Sequence, residues 1–287
     1  MFEKVLIATD FSKHAKKVIE CIGEMPGLKE VLLLNVISRD PLARVWDPVS
    51  EIKDIEKKLE EEKNAIKSPG VTVNVKAVSV LEGEVASAIN KVAMEENVSL
   101  VAMGARGRSL IMSTLLGSSS RNVLRFGRTH LLIMRYKTLD DNTMEKYCAR
   151  VFARILFPTD LSQTSEVALS FLKSLKGIGE IVLLNVVSKG ETDEEIEANV
   201  ALAKERIEEI AQNLKMSGMQ VSSKVVVGQP TEVIRSEAEK EDVSLIAISS
   251  QGASAIKKGR IGSTAYDVAN SASRPVLILR QEKMAAY

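Results

Sequence analysis

The chain repeats itself. Val5-Leu6-Ile7-Ala8-Thr9-Asp10-Phe11-Ser12 returns as Ile155-Leu156-Phe157-Pro158-Thr159-Asp160-Leu161-Ser162, at an offset of 160 − 10 = 150. Leu33-Leu34-Asn35-Val36 returns as Leu183-Leu184-Asn185-Val186 at the same offset. Val98-Ser99-Leu100 and Gly117-Ser118 return as Val243-Ser244-Leu245 and Gly262-Ser263, at 243 − 98 = 145. A period this long marks a duplicated domain and not a solenoid, whose units run to roughly 20–50 residues. The 287 residues therefore divide into two domains of ordinary size. The expected boundaries are 1–137 and 151–287, joined by a polar linker at 138–150 that contains Asp140-Asp141-Asn142. The drop in offset, 150 − 145, places a loss of five residues in copy two between its second strand and second helix.

Each copy alternates apolar runs with helical patterns. In copy one, residues 5–8, 31–36, 100–103 and 131–134 are apolar without alternation, as expected of strands covered on both faces. Val71, Val73 and Val75 alternate in a third strand. Ala15, Val18, Ile19 and Ile22 lie on one helical face that Ser12 is placed to cap. A charged helix over roughly 50–67 carries Ile52, Ile55, Leu59 and Ile66, and its counterpart in copy two carries Ile196, Val200, Ile207, Ile210 and Leu214. Val85, Ala88, Ile89, Val92 and Ala93 mark a third helix, and residues 118–125 a fourth. Strands separated by helices imply right-handed crossovers, so the expected fold is a doubly wound α/β domain, twice.

Ligands of such sheets sit beyond the carboxyl ends of the strands. Three features of copy one fall there: Thr9-Asp10, Val36 at the end of strand two, and the stretch from Gly104 through Arg106, Gly107, Arg108 and Ser109 to Gly117-Ser118-Ser119. The last is suited to phosphate. Glycines tolerate positive φ and let the backbone approach a ligand, successive amides form an anion nest, and a helix start offers free N–H groups. Gly104-x2-Gly107-x9-Gly117-Ser118 reproduces without a gap the G-x2-G-x9-G-[S/T] nucleotide motif of the universal stress protein family, and the chain resembles a tandem member of it. The resemblance implies a five-stranded Rossmann-like sheet in the order 3-2-1-4-5, ATP or AMP as ligand, often with a divalent metal such as Mg²⁺, and dimers joined along strand five. It would place adenosine at Thr9, Asp10 and Val36, and phosphates at Gly104, Gly107, Gly117, Ser118 and Ser119, with Arg106 and Arg108 adding charge. The resemblance implies that the two copies form an intramolecular pseudo-dimer, with a homodimer of chains as a further option.

Copy two keeps Thr159, Asp160, Val186, Gly252, Gly262 and Ser263 but has Ser249 at the first glycine position, with Gln251 and Ala253 in place of the two arginines. A nucleoside still fits this pattern, whereas the grip on phosphate is weakened. The remaining features read as structure. His14 and His130 lack an evident catalytic partner, Cys21 lies in an apolar stretch, and Cys148 falls in the linker. The Glu/Lys-rich runs 57–63 and 204–209 read as solvated helix faces, and no second acidic residue beyond Asp10 suggests itself at the site. There is no G-x-x-x-x-G-K-[S/T], no G-x-G-x-x-G after a first strand and no G-x-S-x-G elbow. Thirty-nine basic against thirty-eight acidic residues offer no charge excess for nucleic acid or membrane surfaces. The apolar run before Thr9 is too short for a leader or a spanning helix, so the expected location is the cytoplasm. The function expected is a nucleotide-responsive sensor or adaptor working through a protein partner. Slow ATP hydrolysis or phosphoryl transfer and a nucleotide-independent interaction module are the alternatives.

Overall fold

The structure, a computed structural model, describes residues 2–23, 25, 27–40, 48–66, 68–106, 115–138, 144–145, 150–188, 192–253 and 260–281. The chain separates into unit 1 (Met1–Met134) and unit 2 (Arg135–Tyr287). Unit 1 runs β1 (Lys4–Ala8), α1 (Lys13–Ile22), β2 (Glu30–Arg39), α2 (Pro48–Lys63), β3 (Thr72–Leu81), α3 (Val85–Glu95), β4 (Leu100–Gly104), α4 (Ser118–Phe126) and β5 (His130–Met134). All neighbouring pairs are parallel, and the order is β3-β2-β1-β4-β5. Val5, Leu6 and Ile7 of the central β1 are wholly buried, which is why that run shows no polar alternation. β3 has a strand neighbour on one side only within the unit and is mostly half-exposed, as its alternating valines require. α2 is shorter than its charged pattern suggests, ending at Lys63 with Leu59 fully buried.

Unit 2 begins with β6 (Lys137–Thr138) and β7 (Met144–Glu145), an antiparallel pair that overlaps the segment 138–150 read from sequence as a linker. It continues with β8 (Arg154–Pro158), α5 (Gln163–Ser174), β9 (Glu180–Val187), α6 (Asp193–Met216), β10 (Gln220–Val227), α7 (Pro230–Lys240), β11 (Leu245–Ser249), α8 (Ser263–Ser271) and β12 (Val276–Leu279). The order β10-β9-β8-β11-β12 repeats that of unit 1. Strand register corrects where the five residues were lost. Glu30 pairs with Thr72 and Glu180 with Gln220, so by the third strand the offset has fallen only to 220 − 72 = 148. The other three residues are lost between the third strand and the third helix, which starts at Val85 in unit 1 and Pro230 in unit 2, 230 − 85 = 145. The longer α6, 24 residues against 16 in α2, conceals this from a comparison of motifs.

In both sheets the connections leaving the first and fourth strands turn opposite ways. The crevice at that switch point is where an open α/β sheet binds ligands.

Candidate functional site

The turn after β1 is held by its own polar side chains. Phe11 takes φ of 63°, a left-handed conformation that costs a bulky residue on the order of 1 kcal/mol. Thr9 Oγ1 accepts from the Phe11 N–H at 3.1 Å and Asp10 Oδ1 from the Ser12 N–H at 3.0 Å, while Ser12 caps α1 by accepting from Ala15 N–H at 3.2 Å. Asn35 Nδ2, buried in β2, donates to the Thr9 carbonyl at 2.8 Å. Unit 2 repeats the device at Leu161 (φ 60°), Thr159, Asp160, Ser162 and Asn185. The recurring Thr-Asp and Leu-Leu-Asn-Val thus build a strained turn that presents the Asp at the crevice. The asparagine's part was visible only as a polar residue inside an apolar run, twice.

The loop after β4 leaves and returns at fixed points. Ala105 N–H donates to the Met134 carbonyl at 3.0 Å, Gly117 N–H to the Ala105 carbonyl at 2.9 Å, and Ser120 Oγ to the Gly104 carbonyl at 2.9 Å. Gly117 is the N-cap of α4 and makes no side-chain cap, and the first turn of α4 holds no acidic residue. Gly107, Arg108 and Ser109 lie outside the described residues. Gly104 is not among the positive-φ glycines. A Cβ there would lie 3.0 Å from the Arg106 carbonyl oxygen and 3.3 Å from His14 Cβ. The glycine is needed for close packing of α1 on the strand end.

Between these loops lies a cavity of about 310 Å³ that brings together Thr9, Asp10, Val36, Gly104, Arg106, Gly117, Ser118 and Ser119. Its apolar lining, Leu34, Val85, Ile89 and Met103, comes from strand ends and the start of α3. Such positions read from sequence simply as core. Two further residues were missed. Glu62, inside the run read as a solvated face, accepts from Thr9 Oγ1 at 3.2 Å. Burial pushes its carboxyl up, the Thr9 hydrogen bond and Lys16 oppose, and Asp10 adds to the rise. His14 sits against Gly104; burial and the Arg106 guanidinium push it below the usual imidazole range, with Asp10 opposing. The imidazole is therefore neutral at pH 7. His130 and Cys21 are buried structural groups, His130 edge-on to Phe2 at 5.7 Å between ring centres. Cys148 lies outside the described residues.

The cavity of unit 2 gathers Thr159, Asp160, Val186, Gly252, Gly262 and Ser263, yet holds only about 150 Å³. Its loop is tied inward. Ala253 N–H donates to Asp160 Oδ2 at 2.7 Å, Ser249 Oγ to the Gln251 carbonyl at 2.8 Å, and Gln251 Nε2 to the Arg260 carbonyl at 2.9 Å.

Residues 1–135 and 152–280 each match the universal stress protein family. The chain belongs to that family. A universal stress protein of Methanocaldococcus jannaschii is 30% identical over 157 residues, 46% of this chain and 97% of that protein. One of Thermus aquaticus is 30% identical over 138 residues, 47% of this chain and all of the relative. Each relative spans about half of this chain, so this universal stress protein carries the family's domain twice. The crystal structure of a universal stress protein from Archaeoglobus fulgidus shares the fold along nearly the whole chain, with a TM-score of 0.68 over 96% of both chains at 23% identity. Among the described residues no helix is long and apolar enough to cross a membrane, and no group of three or more His, Cys, Asp or Glu could hold a metal ion.

Proposed function

We propose that this universal stress protein is a regulatory protein that binds ATP or AMP in the unit 1 cavity. The observation that carries the reading is the convergence at one switch point of Asp10, an uncapped helix start at Gly117–Ser119 and an apolar floor around about 310 Å³. The base packs on Leu34, Val36, Val85 and Ile89, and Asp10 accepts from a ribose hydroxyl. The phosphates lie on the Gly104–Gly117 loop and the start of α4, with Arg106 as counter-charge. A Mg²⁺ ion arriving with ATP would be held by phosphate oxygens and water, a coordination that suits Mg²⁺ and asks no carboxylate cage of the protein.

The experiment is release of bound nucleotide from the purified chain followed by chromatography, together with calorimetric titration of ATP and AMP. Retained adenine nucleotide and saturable heat are expected; neither appearing would remove the reading. Glu62, a second carboxylate beside Asp10, is the one observation favouring slow hydrolysis instead. Conversion of ATP to ADP during the same incubation, abolished by Glu62→Gln, would establish it.

A further inference from the structure

The second residue of α1 is His14, and it meets the loop that follows β4. Its Cβ lies 3.3 Å and its backbone carbon 3.6 Å from where a Cβ on Gly104 would stand, so helix and loop touch where that side chain is missing. Unit 2 shows what the position reaches. Thr164, at 164 − 14 = 150, donates from Oγ1 to the Gln251 carbonyl at 3.1 Å. Gln251 stands at the position of Arg106, 251 − 106 = 145. Where unit 2 has threonine and glutamine, unit 1 has an imidazole and a guanidinium. Burial disfavours the imidazolium most; Arg106 adds to this from the loop, and Asp10 opposes it from the β1 turn. On its own helix Lys13 precedes it, and Lys17, one turn on, pairs with Glu20 at 2.6 Å. Of the strands under α1, β1 carries Lys4 at its far end and β4 has no charged residue, while Glu62 of α2 is engaged by Thr9.

We propose that His14 makes the unit 1 site proton-linked: the imidazole is neutral in the free protein, and a phosphate chain on the loop draws a proton onto it. The inference rests on the reading of unit 1 as a phosphate-binding site. A phosphate beside Arg106 offsets the like charge that disfavours the imidazolium and adds an opposite one. The imidazole acts by charge across the loop, without ligating the phosphate itself. The bound state then holds a proton that the free state lacks, so binding tightens as pH falls. Well above both titration midpoints the imidazole is neutral in either state and affinity sits at its lower level. Well below both it is charged in either state, and affinity is higher by the ratio of the two proton affinities, tenfold for a midpoint shift of about one unit. The free imidazole titrates below its ordinary value of about 6.5, so the gain accrues as pH falls from neutral. Nucleotide occupancy of unit 1 thereby rises on acidification, while unit 2, with Thr164, has no such linkage at this position.

The chain has two histidines, and the other, His130, is wholly buried in β5, so NMR of the full chain can follow the His14 ring directly through a pH titration. Saturating ATP should raise the His14 midpoint by about one unit. Tripolyphosphate, a phosphate chain without the nucleoside, should do the same, and adenosine should leave the midpoint where it was. The terminal phosphate of ATP titrates in the same range, so calorimetric affinities are compared with those of His14→Thr, which carries the unit 2 residue at this position. The ratio of wild-type to variant affinity for ATP should rise about fivefold to tenfold between pH 8 and pH 5.5. His14→Gln serves if the threonine variant misfolds. A His14 midpoint unmoved by bound ATP, a midpoint raised as far by adenosine, or an affinity ratio constant with pH would each overturn the proposal while leaving nucleotide binding standing. ATP giving no saturable heat would remove the nucleotide reading, and the linkage with it.

Discussion

Replacing Gly104 by alanine tests why the motif begins with glycine. The added Cβ would sit 3.0 Å from the Arg106 carbonyl oxygen and 3.3 Å from His14 Cβ, inside the roughly 3.5–4.0 Å at which such atoms attract. One neighbour is a backbone carbonyl and the other the first side-chain carbon of a helix residue, so relief requires backbone to shift by a few tenths of an ångström and not a side-chain end to swing aside. Overpacking of this kind costs about 1–3 kcal/mol. Restricting the unfolded chain returns about 0.4–1 kcal/mol, leaving a net loss of about 1–2 kcal/mol in unit 1. Val5, Leu6 and Ile7 are wholly buried in β1, so hydrogen exchange at their amides in the full chain reports the stability of that unit. Asparagine at 104 separates the two explanations. Where a glycine is required by positive φ, asparagine is tolerated better than alanine; where it is required by space, the larger residue is worse. Gly104→Asn should therefore be less stable than Gly104→Ala. The reverse order, or an alanine variant as stable as the wild type, would refute the packing argument.

Gly107→Val, at the second motif glycine, should lower ATP affinity at least tenfold, about 1.4 kcal/mol, with the fold intact by circular dichroism; unchanged calorimetric affinity would move the phosphate site elsewhere. Glu62 has a carboxyl raised by burial, so above its ordinary value of about 4.3 the folded chain holds this proton more tightly than the unfolded one, and the group's contribution to stability falls as pH rises through that window. Glu62→Gln should match the wild type near pH 4 and exceed it in stability at pH 7; thermal melts that stay parallel across that range would contradict this. Lys224 donates to Glu237 and Glu241, and it holds both carboxyls below their usual range. Their stabilisation is present above about pH 4.3 and is lost as pH falls through the lowered folded values. Lys224→Met should cost unit 2 about 1–3 kcal/mol at pH 7, less than a fully buried pair because the lysine is partly exposed. That difference should shrink at pH 3, and a constant difference would show that packing and not charge is responsible.

What could be read in the sequence was whatever repeats locally. The apolar runs, the Thr-Asp turn, the Gly-Ser helix start and the nine-residue spacing are each contained within a few residues, and each recurs at the corresponding place in the second sheet. The doubly wound class followed because parallel strands joined by helices admit few arrangements, while the strand order was what the resemblance to the family implied. What could not be read depends on which element faces which. Glu62 looks solvated within a run of glutamates and lysines, and only the crossover from β2 to β3 lays that turn of α2 beside Thr9. His14 is an ordinary helix residue until the start of α1 is packed on the end of β4, which is also what Gly104 is for. Asp160 and Ala253 are 93 residues apart, and their hydrogen bond turns a motif that looks intact by spacing into a loop closed on its own carboxylate. Duplication preserved the spacing in both copies, and only the structure shows which donors of the second one are already taken. Spacing therefore locates a site in this fold, and hydrogen-bond accounting of its donors decides whether a charged ligand can use it.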